Sequence, residues 1–254
     1  MARTADYFQE KTIIITGAAS GIGRATADIF GREGANVFCA DIDEVGAAAA
    51  ARAASEAGGK GVPMRVDVTS RSNVETMVAR AKEEFGRIDF QFNSAGSIVH
   101  RCGFLDIDDE IWDKTFGLNV KGVFYSMQAV LPEMMANGRG VIVNMASMAH
   151  LNGSPGIAVH YGSSKGAVVS MSLGVAREFA DRGIRCLSIS PGPIDTPFQG
   201  SASDDLHETM RAQVPMGRFG RPEEIGEMVL FMCSDACEFL TADTVRINGG
   251  GGYK

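Results

Sequence analysis

The chain has 254 residues, of which 45% are hydrophobic and 22% are charged, a balance that excludes general disorder and allows one large core. Its 24 basic and 31 acidic residues give a formal charge of −7, which disfavours binding to nucleic acid. The sequence shows neither an apolar run of the roughly 18 residues that a membrane span needs nor a secretory signal, so we expect a cytoplasmic protein without membrane contact.

The five cysteines are an odd number and lie mostly in apolar segments: Cys39, Cys102, Cys186, Cys233 and Cys237. We therefore expect reduced, buried thiols rather than a disulfide framework. Cys233 and Cys237 have a suggestive spacing, but no further cysteine or histidine lies near them, so we predict no metal site.

Short runs of β-branched and apolar residues alternate with longer segments of helical period along the chain. The predicted strands are 12–16, 36–41, 62–68, 88–93, 141–147, 184–190 and 244–248. This alternation is typical of βαβ units and predicts an α/β fold, a doubly wound parallel sheet of the Rossmann type with about seven strands and helices on both faces. Because no linker interrupts the pattern, residues 1–254 are predicted to form a single domain.

A glycine-rich turn follows the first predicted strand, where the sequence reads TGAASGIG from Thr16 to Gly23. Gly17 permits a tight turn, Gly21 lets the backbone approach a pyrophosphate, and Gly23 lets helix and strand pack closely. The helix predicted to start near Ile22 offers free N–H groups at its N-terminus. A glycine turn without a ligand is the alternative, but the place of this turn at the first βα junction favours dinucleotide binding.

The second predicted strand ends at Asp41, where a carboxylate can accept hydrogen bonds from the ribose of NAD and repel the 2′-phosphate of NADP. A helix N-cap is the alternative role, although Asp43 can fill it. Ser20 stands where a lysine or arginine would favour NADP. Arg24 is interpreted as a residue of the helix surface. We therefore predict that NAD is the cofactor.

Tyr161 and Lys165 are four residues apart, so on a helix both side chains project from one face. A phenol has a pKa near 10, and a nearby ammonium group favours the phenolate by Coulomb attraction. The pair is therefore predicted to act as an acid/base unit. An amphipathic surface pair is the alternative, which Ser147 at a predicted strand end and the upstream glycine turn make less favoured.

These residues belong to an ordered series that resembles the short-chain dehydrogenase/reductase family over nearly the whole chain. The series is completed by Asp67 and Val68, the run from Asn93 to Gly96, Asn119, Pro191 with Gly192, and Thr196. Two positions depart from the family pattern, Ser94 and Gln91, and neither has a chemical role.

The resemblance implies further contacts with the cofactor. Asp67 and Val68 would line the adenine, Asn93 and Gly96 would support the ribose and the central strand, and Ile194 and Thr196 would meet the nicotinamide amide and the pyrophosphate. The full predicted cofactor set is Gly17, Ser20, Gly21, Ile22, Gly23, Asp41, Asp67, Val68, Asn93, Gly96, Tyr161, Lys165, Pro191, Ile194 and Thr196.

The resemblance also implies a catalytic tetrad of Asn119, Ser147, Tyr161 and Lys165. Tyr161 would exchange a proton with the substrate oxygen while the cofactor exchanges the hydride, and Ser147 would hydrogen-bond that oxygen. Lys165 would hold the nicotinamide ribose, and Asn119 would anchor a water that leads to solvent. The closing run from Asn248 to Gly250 matches a strand that packs against another subunit in the family, which implies a homotetramer.

The substrate is expected at the carboxyl ends of the strands, next to 97–104, 148–157 and 193–216. Many side chains of these segments are apolar and few are charged: Ile98, Val99, Leu151, Ile157, Phe198, Met210 and Met216. A hydrophobic secondary alcohol, cyclic or aromatic, is therefore favoured. We predict that Ser147, Tyr161 and His150 contact it, whereas a catalytic histidine is less favoured. The segment 195–217, rich in proline and glycine, is predicted to be a lid.

Two other functions fit the pattern. An NADPH-dependent reductase of 3-ketoacyl groups on a carrier protein would share the fold and the tetrad, but Asp41 and Ser20 disfavour it. A non-enzymatic NAD sensor or scaffold would keep the cofactor turn without needing the complete tetrad. We therefore predict an NAD-dependent oxidoreductase with a small-molecule substrate.

Overall fold

A computed structural model describes residues 4–198 and 204–252 of the chain. Its strands are β1 (Thr12–Thr16), β2 (Asn36–Asp41), β3 (Lys60–Arg65), β4 (Phe90–Asn93), β5 (Gly140–Met145), β6 (Ile184–Pro191) and β7 (Thr244–Ile247). Its α-helices are α1 (Gly21–Arg32), α2 (Glu44–Glu56), α3 (Arg71–Phe85), α4 (Asp109–Phe116), α5 (Gly122–Ala136), α6 (Ala149–Asn152), α7 (Val159–Phe179), α8 (Asp204–Ala212) and α9 (Pro222–Cys233).

The strands form one parallel sheet in the order β3-β2-β1-β4-β5-β6-β7. The predicted α/β class and the Rossmann-type parallel sheet are confirmed. The strand order reverses between β1 and β4, so the connections leaving these strands run in opposite directions and open a crevice at their carboxyl ends. Ligands of open α/β sheets bind in such crevices.

Two cores cover the two faces of the sheet, because successive side chains of a strand point to opposite sides. Ile13 and Ile15 of β1 pack into one core with residues of α1, α2 and α9. Ile14, between them, packs into the other core with residues of α3, α5 and α7. All five residues of β1 are buried, which explains why this strand is an uninterrupted apolar and β-branched run.

Two strands, β3 and β5, have carboxyl ends that lie two or three residues before their predicted positions. β3 ends at Arg65 rather than at residue 68, because the Asp67 carboxylate accepts bonds from the N–H and hydroxyl of Thr69 and closes a turn there. β5 ends at Met145, so Ser147 lies in the following loop rather than in the strand. Both shifts place predicted site residues on loops at the carboxyl edge.

Each of the five cysteines is a free thiol, and burial raises the pKa of Cys39 to about 12. Within residues 4–198 and 204–252, no helix combines the length and apolar character that crossing a bilayer requires.

Candidate active site

The glycine-rich turn after β1 is shaped by contacts that exclude side chains. Gly17 has a φ of 73°, and a Cβ there would lie 2.8 Å from the backbone nitrogen of Ala95. A Cβ on Gly23 would lie 2.0 Å from the carbonyl oxygen of Gly17. Gly21 has a φ of 53° and faces Thr196, whose Cγ2 would lie 3.2 Å from an added Cβ. The turn therefore requires glycine, both for its positive φ angles and for its close packing. Backbone atoms rather than side chains face the crevice.

The N-terminus of α1 opens onto this turn. Ser20 is the N-cap, but its side chain makes no capping hydrogen bond, and the first turn of α1 contains no acidic residue. Neither a capping hydroxyl nor a carboxylate therefore offsets the positive end of the helix dipole. An anionic group such as a pyrophosphate would be stabilised there.

Asp41 lies at the end of β2 and accepts hydrogen bonds from the N–H groups of Ala19, at 2.9 Å, and Asp43, at 3.0 Å. It is therefore tied to the glycine turn. Asp43 itself caps α2 by accepting from Val45 and Gly46, as predicted, so Asp41 is not needed as the cap.

A cavity of about 610 Å³ runs along the carboxyl edge of the sheet. Its wall contains twelve of the predicted site residues: Gly17, Ser20, Gly21, Ile22, Asp41, Gly96, Ser147, Tyr161, Lys165, Pro191, Ile194 and Thr196. The crevice thus joins the glycine turn to the predicted acid/base residues in one space.

Tyr161 lies in the first turn of α7 and is only 8% exposed, and Ser147 in the loop after β5 lies in the same cavity wall. Burial raises the pKa of Tyr161 to about 12, while the Ser147 hydroxyl and the charge of Arg101 act to lower it. The phenol is therefore a protonated donor at neutral pH in this state, beside a hydroxyl that can share an oxygen ligand with it.

Lys165 lies one turn further along α7 and is almost completely buried. Its Nζ donates to the carbonyl of Met145 at 2.8 Å and lies 5.6 Å from the centre of the Tyr161 ring. Burial lowers the pKa of Lys165 to about 8. Arg101 is the cation that lowers the pKa of Tyr161 in this state. The predicted effect of Lys165 on that pKa stays a prediction.

Asn119 lies in a π-helical turn, Gly117–Lys121, and is completely buried. Its amide accepts from the N–H of Ser97 at 2.9 Å and donates to the Ser97 carbonyl at 2.8 Å and to the Ser164 hydroxyl at 3.0 Å. A Cβ on Gly96 would lie 2.9 Å from the Asn119 Oδ1 and 3.2 Å from the Lys165 Nζ. The structure thus brings Asn119 and Lys165 to the same glycine.

Besides Asn119, five predicted site residues lie outside the cavity wall, and their predicted contacts with a ligand stay predictions. Asn93 donates to Asn144 at 2.7 Å within the sheet. Asp67 closes its own turn, Val68 packs against Gly122, and Gly23 packs against the glycine turn.

His150 is the fifth of these residues, and its hydrogen-bonding partners in the structure are other protein groups. Its Nδ1 lies 2.6 Å from the carbonyl oxygen of Ser147 and 3.1 Å from the Ser190 hydroxyl. A carbonyl can only accept, so Nδ1 carries the proton in this contact. His150 therefore braces the loop that carries Ser147 rather than lining the cavity.

The substrate end of the wall combines apolar side chains with one cation. Ile98, Ile157, Phe198 and Met210 are in the wall, as predicted, and the Phe198 ring lies 5.9 Å from the Tyr161 ring. The predicted Val99, Leu151 and Met216 are not part of it. Residues 199–203 of the predicted lid lie outside the described residues.

Sequence reasoning missed Arg101, and it considered His160 only as a less favoured second acid/base. Arg101 lies in the cavity wall, and His160, completely buried next to Tyr161, bonds through Nε2 to the Ile98 carbonyl at 3.1 Å. Arg101 was detectable, because it is a charge in the apolar segment 97–104 that was assigned to the substrate. The contact of His160 with the loop had no sequence signal, since its partner is 62 residues away in the chain.

No group of three or more His, Cys, Asp or Glu side chains within the described chain could hold a metal ion. The polar groups of the cavity wall include the hydroxyls of Ser147 and Tyr161 and the cations of Arg101 and Lys165. The arrangement can therefore transfer protons through Tyr161 and bind a phosphate-containing ligand at the glycine turn.

Comparison with known proteins agrees with this arrangement. Residues 17–251 match a family model described as Enoyl-(Acyl carrier protein) reductase. The chain is 37% identical over 240 residues to the 3-oxoacyl-[acyl-carrier-protein] reductase FabG of Thermotoga maritima, covering 94% of this chain and 97% of the relative. It is 39% identical over 247 residues to an NAD-dependent glycerol dehydrogenase of Listeria innocua, covering 95% and 93%.

A solved structure shows the same fold. The crystal structure of a short-chain type dehydrogenase/reductase from Mycobacterium marinum superimposes with a TM-score of 0.91 at 34% identity, covering 97% of each chain. Together with the relatives, this likeness shows that the chain belongs to the short-chain dehydrogenase/reductase family, whose members are oxidoreductases that act on CH–OH groups with a nicotinamide cofactor.

Proposed function

We propose that the protein is an NAD-dependent dehydrogenase of a hydrophobic secondary alcohol, or a reductase of the corresponding ketone. The observation that carries the proposal is a single cavity whose wall contains Asp41 and the glycine turn together with Ser147, Tyr161 and Lys165. A non-enzymatic sensor or scaffold would have no use for this complete reacting group.

The glycine turn and Asp41 fit a dinucleotide. The cradle formed by Gly17 and Gly21 would be filled by any Cβ, and the N-terminus of α1 faces it. The proposed pyrophosphate site is this cradle, and the proposed adenosine ribose site is the Asp41 carboxylate. In the same wall, Ile194 and Thr196 are proposed to hold the nicotinamide end. When bound, the cofactor accepts or supplies the hydride.

Side chains of the protein would transfer the proton of the substrate hydroxyl. Tyr161 and Ser147 lie in the same cavity wall, and together they would hold the substrate oxygen between two hydroxyls. In the reducing direction the protonated phenol of Tyr161 donates to the forming alkoxide, which suits a phenol whose burial raises its pKa. In the oxidising direction Tyr161 must first lose its proton.

A route for that proton is proposed through Lys165 and Asn119. Burial lowers the pKa of Lys165 to about 8, so this amine can gain and lose a proton near neutral pH. Lys165 and Asn119 meet at Gly96, where Asn119 is bonded to the backbone of Ser97. The amine would bind the nicotinamide ribose and return its proton to solvent through this polar group.

The apolar substrate end of the wall supports the substrate class. Ile98, Ile157, Phe198 and Met210 form a surface that favours a cyclic, aromatic or otherwise hydrophobic body next to Tyr161. The segment 195–217 contributes Phe198 and Met210 to this wall, so we propose that it forms the lid of the site. A single domain, a cytoplasmic location and a homotetramer complete the proposal.

The test is a comparison of NAD and NADP in the oxidation of a panel of cyclic and aromatic secondary alcohols. Wild type should oxidise members of the panel with NAD preferred. Asp41→Ala should lower kcat/KM with NAD roughly 10- to 150-fold, the value of one or two charge-assisted hydrogen bonds, and raise it with NADP. Ile42→Arg added to Asp41→Ala should extend the gain with NADP by pairing with the 2′-phosphate.

A matched control is Asp43→Ala, which removes a neighbouring carboxylate that caps α2 and is not part of the cavity wall. This variant should keep the wild-type ratio of NAD to NADP efficiency. A preference of wild type for NADP, or a ratio that Asp41→Ala leaves unmoved, would refute the assignment of NAD.

A second candidate is an NADPH-dependent reductase of 3-ketoacyl groups on a carrier protein, favoured by the likeness to the Thermotoga maritima enzyme. Asp41 opposes it, because a carboxylate at the ribose repels the 2′-phosphate of NADPH. Reduction of an acetoacetyl thioester with NADPH at a higher kcat/KM than any ketone of the panel with NADH would favour this candidate instead.

A further inference from the structure

The loop between β4 and α4 is anchored to two helices. Asn119 makes two hydrogen bonds to the backbone of Ser97, at 2.9 and 2.8 Å. The buried His160 of α7 bonds through Nε2 to the carbonyl of Ile98 at 3.1 Å, so Nε2 carries the proton. The start of this loop is therefore fixed before it reaches Arg101.

The next residue of the loop has a strained backbone. Val99, a β-branched residue, has a φ of 66°, and the N–H of His100 donates to the Ile98 carbonyl at 2.8 Å to close a γ-turn. Beyond the turn, the N–H of Cys102 donates to the carbonyl of Ile157 at 2.9 Å. Backbone strain of this kind persists only where surrounding bonds over-determine it, and it is concentrated at functional sites.

Arg101 is the residue that this strained and anchored loop presents to the cavity. Its side chain is partly buried in the wall, and its charge acts on Tyr161. Burial lowers the pKa of the guanidinium, but an arginine keeps its charge at physiological pH. A fixed cation therefore lies at the reacting end of the cavity.

The surroundings of Arg101 strengthen its attraction for an anion. The guanidinium is partly desolvated in a wall that also contains Ile98, Ile157 and Phe198, and a partly desolvated cation binds an opposite charge more strongly than one in water. Asp41 is the sole carboxylate among the described wall residues, and it is bonded to the glycine turn. The described part of the substrate end thus combines apolar side chains with the Arg101 cation.

We propose that Arg101 is a specificity-determining residue that binds a carboxylate on the substrate. The substrate is then a secondary alcohol whose apolar body carries a carboxylate, or the corresponding keto acid. One planar guanidinium matches the two oxygens of a carboxylate, whereas a phosphate dianion would call for more cations than this part of the wall holds. This inference rests on the proposed function and narrows its substrate class.

The test measures binding, so that it does not depend on turnover. Titration calorimetry, with and without NADH, compares 4-hydroxycyclohexanecarboxylate with its methyl ester, two probes that share the ring and the carbinol. Wild type should bind the carboxylate at least 10-fold more tightly than the ester. Arg101→Met should lose about 10- to 100-fold in affinity for the carboxylate and stay within about two-fold for the ester.

Two further variants serve as controls. Arg101→Lys keeps the charge without the planar fork and should retain part of the carboxylate preference. Arg52→Met makes the same exchange on the exposed surface of α2 and should leave both affinities unchanged. Equal affinity of wild type for the two probes, or an equal loss for both in Arg101→Met, would overturn the proposal.

Kinetic measurements distinguish carboxylate binding by Arg101 from an effect of its charge on the pKa of Tyr161 alone. Loss of the cation raises the pKa of Tyr161, so the oxidation rate of Arg101→Met should shift to higher pH for carboxylate and ester alike. The ratio of kcat/KM for the two probes should fall 10-fold or more at every pH if Arg101 binds the carboxylate, and an unchanged ratio would refute this. Absence of turnover with every alcohol would refute the proposed function, while calorimetry would still decide the role of Arg101.

Discussion

Burial sets the chemistry of the two central residues, Tyr161 and Lys165. The same lack of solvent raises the pKa of the phenol to about 12 and lowers that of the amine to about 8. Each group is thereby pushed toward its neutral form. Ser147 and Arg101 oppose this effect at Tyr161 through a hydroxyl and a positive charge. The pKa values of both groups therefore depend on their surroundings in the fold, which the spacing of the two residues along a helix does not reveal.

Replacing Tyr161 by Phe should lower kcat by a factor of about 10² to 10⁴, because the ring still packs but the transferable proton is gone. Binding of NADH, followed by fluorescence titration, should stay within a few-fold of wild type. Tyr125→Phe removes a phenol hydroxyl from α5 outside the cavity wall and is the matched control. Retention of more than about a tenth of the activity in Tyr161→Phe would rule out its acid/base role.

Lys165→Met should change the pH dependence of stability in the cofactor-free protein. The pKa of Lys165 lies near 8 in the folded state against an ordinary 10.5, so between these values the unfolded chain holds more protons and wild-type stability rises with pH. The shift corresponds to about 3 kcal/mol of destabilisation of wild type below pH 8, which the methionine removes. The advantage of Lys165→Met over wild type in free energy of unfolding should therefore shrink by about 2–3 kcal/mol between pH 7 and pH 10.

Urea unfolding of both proteins across that range measures the difference, and Lys60→Met at the exposed start of β3 is the control. A difference that does not vary with pH would contradict the lowered pKa of Lys165. The same Lys165→Met protein should bind NADH more weakly, because the proposed ribose contact is lost.

Loops between elements, rather than the elements themselves, hold most of the site. The turn between β1 and α1 carries the glycines, and the loops after β4 and β5 carry Arg101 and Ser147. Each loop is fixed by bonds from a distant part of the chain. Asp41 binds Ala19 across 22 positions and His160 binds Ile98 across 62 positions.

Gly23→Ala tests the packing of α1 against the glycine turn. An added Cβ would lie 2.0 Å from the Gly17 carbonyl oxygen, so backbone must move. We expect a loss of about 1–3 kcal/mol in the free energy of unfolding, the usual cost of overpacking, and weaker NADH binding. Denaturant titration and NADH fluorescence measure the two effects.

Gly166→Ala is the control for this exchange, because Gly166 lies within α7 and a Cβ there would meet no atom within 4 Å. That variant should be as stable as wild type or gain up to about 1 kcal/mol from the better helix propensity of alanine. Gly23→Ala with wild-type stability would show that the close contact with Gly17 relaxes freely.

Exposed apolar side chains at the β7 edge of the sheet bear on the state of the whole molecule. Phe239, five residues before β7, is fully exposed, and Phe231 of α9 is 46% exposed. β7 is the last strand of the sheet, so its outer edge has no neighbouring strand among the described residues. An exposed edge beside aromatic side chains is typical of a surface that another subunit covers.

We expect light scattering coupled to size exclusion to give four times the monomer mass for wild type. Phe239→Glu should shift the protein toward smaller species, because a charge would have to be buried in the interface. Val45→Glu, at an exposed position on α2 near the opposite edge, should leave the mass unchanged. A monomeric wild type would contradict the homotetramer.

The sequence by itself determined the fold class and the glycine turn and predicted the acid/base pair, because these depend on local patterns: alternation of strands and helices, glycine spacing and a spacing of four along a helix. It also placed Asp43 as the cap of α2, which the structure confirms. Tertiary structure alone decided that His150 braces Ser147, that the charge of Arg101 acts on Tyr161, and that His160 holds the loop of Arg101. Burial and contacts between residues distant in sequence arise only when the chain is folded, so no local pattern contains them.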